Sequence, residues 1–162
     1  MDNKCVLLDT NFLIQLLKKD DPLHSNVVGF FRIFLDKEFK LKFSTISIAE
    51  YCVRGQLDQL PLPNLEILPF NVLHGATAGE FTRMILENKG LMNAEERPSI
   101  KDDLKLLAQA QIENEITSFA TSDQRLLRII TFLKQDDQLS DLEIINTVEP
   151  YSSILGVLPF KE

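Results

Sequence analysis

VLLDTNFLIQLL, residues 6–17, joins two apolar patterns across three polar residues. Val6, Leu7 and Leu8 form a short continuous apolar run, as expected of a strand buried on both faces. Beyond Asp9, Thr10 and Asn11 the apolar pattern resumes at once and reads as a helix over 11–18. A short buried strand rarely ends on a carboxylate unless something receives the charge. The group that Asp9 faces is therefore the first thing to find.

Working outward, the same alternation recurs. Residues 4–9 read as a strand. Asp21-Pro22 opens a helix to about Asp36, with Val27, Phe30, Phe31, Phe34 and Leu35 at helical spacing. KLKFSTI (40–46) reads as a strand, and Ser47 to Arg54 as a helix stopped by Gly55. The stretch 57–71 carries three prolines and reads as a loop with a short strand at Glu66–Leu68. A helix from Val72 to Asn88 ends at Lys89-Gly90, and a polar loop over 90–98 closes on Pro98. Helix 99–114, strand SFAT (118–121), a helix from 123 to about 135 and strand EIINTV (143–148) complete the pattern. The tail, 150–162, is expected to be irregular and packed on the body.

Strands alternating with helices imply a parallel sheet with crossover helices. The fold expected is one three-layer α/β/α domain over 1–162, with a central sheet of four or five strands. In such a sheet every helix N-terminus lies at the edge where the strands end, which is where open α/β sheets bind ligands.

The chain has 162 residues, 44% hydrophobic and 25% charged, a balance that suits one globular domain. No apolar run approaches the ~18 residues of a membrane span, and MDNK at the start lacks a secretory pattern. A cytoplasmic setting with no membrane partner is expected. Cys5 and Cys52 lie among apolar neighbours with no CxxC spacing, and read as buried free thiols. A net charge of −7 argues against a broad phosphate-binding surface. It leaves room for an acidic site that bound cations would neutralise, with a local basic rim beside it.

Four acids map to the ligand-binding edge. Asp9 ends the first strand, and an N-cap for the next helix is its plain alternative. Glu50 lies in STISIAE, where Ser47-x-x-Glu50 is a capping-box pattern. Asp102 and Asp103 open the helix at 99–114. Ser99-x-x-Asp102 gives Asp102 a structural role, while Asp103 shares a face with Leu106, Leu107 and Ala110 and so points inward. Asp123 follows SFAT and could cap the next helix together with Ser122.

Each capping role is ordinary alone, but together they place four carboxylates from four segments at one edge. Two carboxylates ~5 Å apart repel by roughly 3 kcal/mol at an effective dielectric of about 20. A divalent cation resolves that conflict. Oxygen-only ligands suit Mg²⁺ or Mn²⁺ rather than zinc, and neither His24 nor His74 has a metal-binding pattern around it. GxGxxG, GxxxxGK[ST] and GxSxG are all absent. The second Asp that haloacid-dehalogenase-type phosphatases need two residues after the first is here Asn11.

LLDTN (7–11), STISIAE (44–50), DLKLLAQA (103–110) and FATSD (119–123) together resemble the PIN-domain ribonucleases, the family that includes VapC-type toxins. Order and spacing agree over nearly the whole chain, and ILPF (67–70) adds to the likeness. The resemblance implies metal-dependent RNA cleavage with Mg²⁺ or Mn²⁺ held by Asp9, Glu50, Asp103 and Asp123. Asp102 is the alternative third ligand. Asn11 would orient Asp9, and Thr121 would support the last ligand. A homodimer and a small antitoxin partner are implied in the same way.

Two features depart from the family. Many relatives carry an Asp two residues after the last ligand and an aromatic beside it, where this chain has Arg125 and Leu126. The chain is also longer than a minimal toxin of this type. Arg97, Lys101, Lys105, Arg125 and Arg128 flank the last two acids and are candidates for holding substrate phosphates. The competing functions are a PIN-like module that binds RNA or protein without cutting, and a 5′-nuclease acting on structured DNA. The chain lacks the helical and basic elements with which such a nuclease grips duplex.

Overall fold

Five short strands form the centre: β1 (Cys5–Leu8), β2 (Lys40–Ser44), β3 (Glu66–Leu68), β4 (Ser118–Thr121) and β5 (Glu143–Asn146). The computed structural model describes residues 4–88, 90–93 and 100–155. All the strands run parallel in the order β3-β2-β1-β4-β5. The chain moves outward from β1 through β2 to β3, then crosses back to lay β4 on the other side of β1. The reversal between β1 and β4 opens a crevice at their carboxyl ends. Leu8 pairs with Ala120 there, and Asp9 N–H donates to Ala120 O at 3.0 Å, so both strands end level.

Both faces of the sheet are covered, which is why β1 carries no polar residue. Cys5 and Leu7 point to one side, where they pack with Phe81 and Ile85 of α4 (Val72–Glu87), Leu104 and Leu107 of α5 (Ile100–Ile112) and Leu126 and Ile129 of α6 (Gln124–Gln135). Val6 and Leu8 point to the other side. There they meet Phe12 and Leu13 of α1 (Thr10–Leu17) and Val27, Phe30 and Phe34 of α2 (His24–Asp36). The short α3 (Thr45–Tyr51) bridges the layers, with Ile46 packed on the first cluster and Ile48 on the second. The expected three-layer α/β/α architecture is present, with five strands.

Several boundaries differ from those the sequence suggested. α3 starts at Thr45 because the Ser44 hydroxyl accepts Ile46 N–H at 3.0 Å; Ser47 is inside the helix and caps nothing. The Ser47–Glu50 pattern is therefore no capping box, and Glu50 is left without that structural duty. α2 starts at His24, after a turn in which Asp21 Oδ1 accepts Leu23 N–H. Two 3₁₀ turns, Leu57–Gln59 and Leu62–Asn64, shape the proline-rich stretch. Cys5 is a buried free thiol as expected, whereas Cys52 is exposed. Among the described residues no helix is long and apolar enough to cross a membrane.

The end of the chain is less irregular than expected, since Ser152–Leu155 forms a helical turn, α7. The segment before it is clamped to α2 by Asn26. The Asn26 amide nitrogen donates to Thr147 O at 2.7 Å and Glu149 O at 2.8 Å, while its oxygen accepts Tyr151 N–H at 2.9 Å. Asn26→Ala should cost about 1–3 kcal/mol, because three backbone groups lose their partner, and denaturant unfolding measures it directly. Residues 94–99, which include Arg97, Pro98 and Ser99, and residues 156–162 lie outside the described residues.

Candidate active site

Asp9 stands where β1 becomes α1, in the N-cap position, yet its side chain makes no cap bond. Its Oδ2 instead accepts the Thr121 hydroxyl at 2.7 Å from across the switch point. The carboxylate is only 2% exposed, and burial, with Asp123 and Glu50 adding like charge, raises it from the usual carboxylate range to about 6.

Thr121 serves two acids at once. While donating to Asp9, its hydroxyl oxygen accepts Asp123 N–H at 3.1 Å, which fixes the turn leaving β4. Asp123 does cap its helix, and Oδ1 alone carries that task by accepting Arg125 N–H at 2.8 Å and Leu126 N–H at 3.2 Å. Oδ2 is left for other company.

Glu50 reaches the same place from α3. One of its carboxylate oxygens takes a short hydrogen bond from the Thr10 hydroxyl. Burial pushes Glu50 upward, with Asp102 adding to the rise. Thr10, next to Asp9 on α1, is thus a supporting residue that sequence patterning did not single out. Asn11 is exposed and makes no hydrogen bond to Asp9, so the hydroxyls of Thr10 and Thr121 do the holding.

The two acids of α5 separate as their helix face dictates. Asp102 is 41% exposed and pairs with Lys105 at 2.7 Å. Asp103 is 13% exposed and turns toward the other acids. Burial, followed by the nearby Asp9, pushes Asp103 up to about 8, against the lowering effect of Arg125. Asp123 and Glu50 raise it further. The four carboxylates therefore feel one another, and Asp103 is the most strained.

A positive group already lies among them. One terminal nitrogen of the Arg125 guanidinium donates to Asp103 Oδ2 at 2.7 Å and to Asp123 Oδ2 at 2.9 Å. Sequence reasoning placed Arg125 on a phosphate-facing rim, but its side chain is only 21% exposed and lies inside the cluster. As placed, no three acidic, His or Cys side chains among the described residues close on one point as a cation shell would.

Neither a family model nor a curated protein sequence matches the chain. Solved structures do. A chain of the VapBC2 complex from Rickettsia felis, bound to a DNA fragment from its promoter, superposes with a TM-score of 0.57 at 22% identity. That match covers 86% of this chain and 96% of that one. A chain of FitAcB from Neisseria gonorrhoeae gives 0.59 at 20% identity, covering 89% and 99%. DNA-bound VapBC from Salmonella typhimurium gives 0.51 at 15%, covering 87% and 96%. The fold is shared with these proteins.

On that fold, the donor chemistry fits a hard divalent cation. Every candidate ligand is a carboxylate oxygen, and no imidazole or thiol competes for the ion. Neither histidine is available for the task. His74 is fully buried, its Nδ1 accepts Asn71 N–H at 3.0 Å, and its Nε2 therefore carries the proton toward Glu113 at 2.8 Å. His24 Nδ1 lies 3.0 Å from Gln15 O.

Cations other than the expected ones flank the site. A cleft of about 870 Å³ opens beside Glu50, lined by Ile14, Leu17, Tyr51 and Val53 with Lys18 and Arg54 among them. Lys18 and Arg54 are exposed and follow Asp9 and Glu50 by nine and four residues, at the far ends of α1 and α3, and the packing of those two helices brings them to one cleft. Lys101 and Arg128 are exposed, while Lys105 is engaged with Asp102.

Proposed function

We propose that the chain is an endoribonuclease that hydrolyses RNA phosphodiester bonds with Mg²⁺ or Mn²⁺ held by Asp9, Glu50, Asp103 and Asp123. The single observation that supports this most is the convergence of four acids from four segments at the switch point of a parallel sheet, where burial pushes the carboxyls of Asp9, Glu50 and Asp103 upward. Such an arrangement is costly for the fold and is expected where charge has work to do.

A divalent cation bound there would act as a Lewis acid on the scissile phosphate and supply a water activated for in-line attack. The chain's residues have definable parts. Thr121 and Thr10 hold Asp9 and Glu50 in place. The capping bonds of Asp123 Oδ1 aim Oδ2 into the site. One of the four carboxylates would receive the proton released by the attacking water. Lys18 and Arg54 offer charge to neighbouring phosphates along the cleft beside Glu50.

The structures of similar fold are two-component VapBC and FitAcB assemblies. On that likeness we assign the chain as the toxin of a toxin–antitoxin pair, bound by a small antitoxin and dimeric. One observation favours the second reading, a PIN-like module that binds RNA or protein without cutting. A guanidinium fixed permanently on Asp103 and Asp123 would leave no room for a cation.

Incubating purified protein with mixed single-stranded RNA in Mn²⁺, Mg²⁺ or EDTA tests the proposal. Cleavage is expected with either ion and none with chelator, and the products should carry 5′-phosphates. Activity that survives EDTA, or ends bearing 2′,3′-cyclic phosphate, would rule out metal-assisted hydrolysis. RNA binding without any cleavage would establish the second reading.

A further inference from the structure

We infer that Arg125 is a built-in counter-ion that holds the acidic site closed, so that a divalent cation enters only as the guanidinium leaves; this rests on the nuclease reading above. The guanidinium links acids from two different helices, Asp103 on α5 and Asp123 at the head of α6, through one nitrogen at 2.7 and 2.9 Å.

The competition is for particular atoms. Asp123 Oδ1 is committed to two backbone N–H groups of its helix, so Oδ2 is the oxygen it can offer a cation. That oxygen is the one Arg125 occupies. Asp103 likewise contributes Oδ2 to the guanidinium. A bound cation and Arg125 therefore compete for Asp123 Oδ2 and for the charge of Asp103.

The exchange has a definite direction. Arg125 carries one positive charge among four acids, and a divalent ion offers twice that to the same carboxylates. Tethering two residues from Asp123 keeps the guanidinium at high local concentration, so it competes at every cation level. Arginine stays protonated across the accessible pH range, so alkali does not open the site, but a stronger cation does. The apparent cation affinity is then reduced by the fraction of molecules in which Arg125 has swung out.

Calorimetric titration with Mn²⁺ on the full chain, comparing wild type, Arg125→Gln and Lys101→Gln, tests this. Lys101 is an exposed cation two residues before Asp103, and its removal controls for net charge. Arg125→Gln should bind Mn²⁺ roughly tenfold tighter or more, while Lys101→Gln stays within about twofold of wild type.

A second measurement needs no folded variant at that position. In ¹⁵N-arginine-labelled wild type, one guanidinium should show hindered rotation without metal and lose it at saturating Mg²⁺. Equal Mn²⁺ affinity for wild type and Arg125→Gln, or a hindered guanidinium that Mg²⁺ leaves unchanged, overturns the inference while the nuclease reading stands. If neither wild type nor Arg125→Gln binds Mn²⁺, the nuclease reading itself falls.

Discussion

Asp103→Asn should abolish RNA cleavage in a protein that still folds, while Asp102→Asn should cut at close to the wild-type rate. The two residues are adjacent in the first turn of α5, but successive helical positions point about 100° apart. Asp103 is 13% exposed and faces Asp9, Asp123, Glu50 and Arg125. Asp102 is 41% exposed and held by Lys105. Losing the inward acid should slow cleavage on the order of 10³-fold or more, equivalent to about 4 kcal/mol of transition-state stabilisation. The outer acid sits in a half-exposed ion pair worth about 0–1 kcal/mol. Initial rates in Mn²⁺ and melting temperatures for both variants decide the matter. An inactive Asp102→Asn beside an active Asp103→Asn would transfer the ligand role to Asp102.

Without a cation, Asp9→Asn should be more stable than wild type. Asp9 occupies an N-cap position but accepts no cap bond that would be lost, and asparagine keeps an oxygen for the Thr121 hydroxyl. What the substitution removes is a buried charge. The ordinary carboxylate value is near 3.9, and in the folded chain Asp9 rises to about 6 and Asp103 to about 8. A raised folded value means the native state holds its protons longer than the unfolded chain does. Wild-type stability is therefore greatest below about pH 4 as far as these groups are concerned, and it declines as pH climbs toward 8.

At pH 7 the relief from neutralising Asp9 should be about 1–2 kcal/mol, a rise of several degrees in melting temperature. Mn²⁺ at a hundredfold excess over Kd should stabilise the wild type by about 2.7 kcal/mol and the variant far less. Calorimetry on both proteins, with and without Mn²⁺, separates the effects. A plainly destabilised Asp9→Asn, together with no Mn²⁺ shift in either protein, would reduce Asp9 to a structural residue.

The backbone of the fold was legible because parallel strands covered on both faces must be continuously apolar. VLL is such a run, KLKF alternates instead, and SFAT is an apolar pair between hydroxyls, yet the polar residue that ends each marks the crevice. Glu66–Leu68 is an edge strand with only Leu68 buried, and its short apolar pair was the one signal among the prolines around it. The start of α3 was misread because Ser44, the last residue of a strand, caps the helix with no loop between. A capping-box pattern three residues later was a stronger written signal than a serine inside a strand.

Within the site, inward and outward faces followed from helical periodicity, which separated Asp103 from Asp102. The hydrogen-bond partners did not follow. Thr10 meets Glu50, and Thr121 meets Asp9, only because α1 leans on α3 and β4 lies beside β1. Arg125 was hidden for another reason. A long side chain at the second position of a helix can lie on either side of it, and only the placement of Asp103 beside the head of α6 turns it inward.

The strand order also fixes when during synthesis the site can exist. β1 is central, flanked by β2, which follows it closely, and by β4, whose Thr121 lies 112 residues away from Asp9. Closing so long a loop is a slow step in folding, since its entropy is spent before the contacts that repay it form. A nascent chain that has emerged only as far as β3 carries Asp9 and Glu50 without Asp103, Asp123 or Thr121. On the nuclease reading it is then inert toward the RNA around it, including the message from which it is being translated.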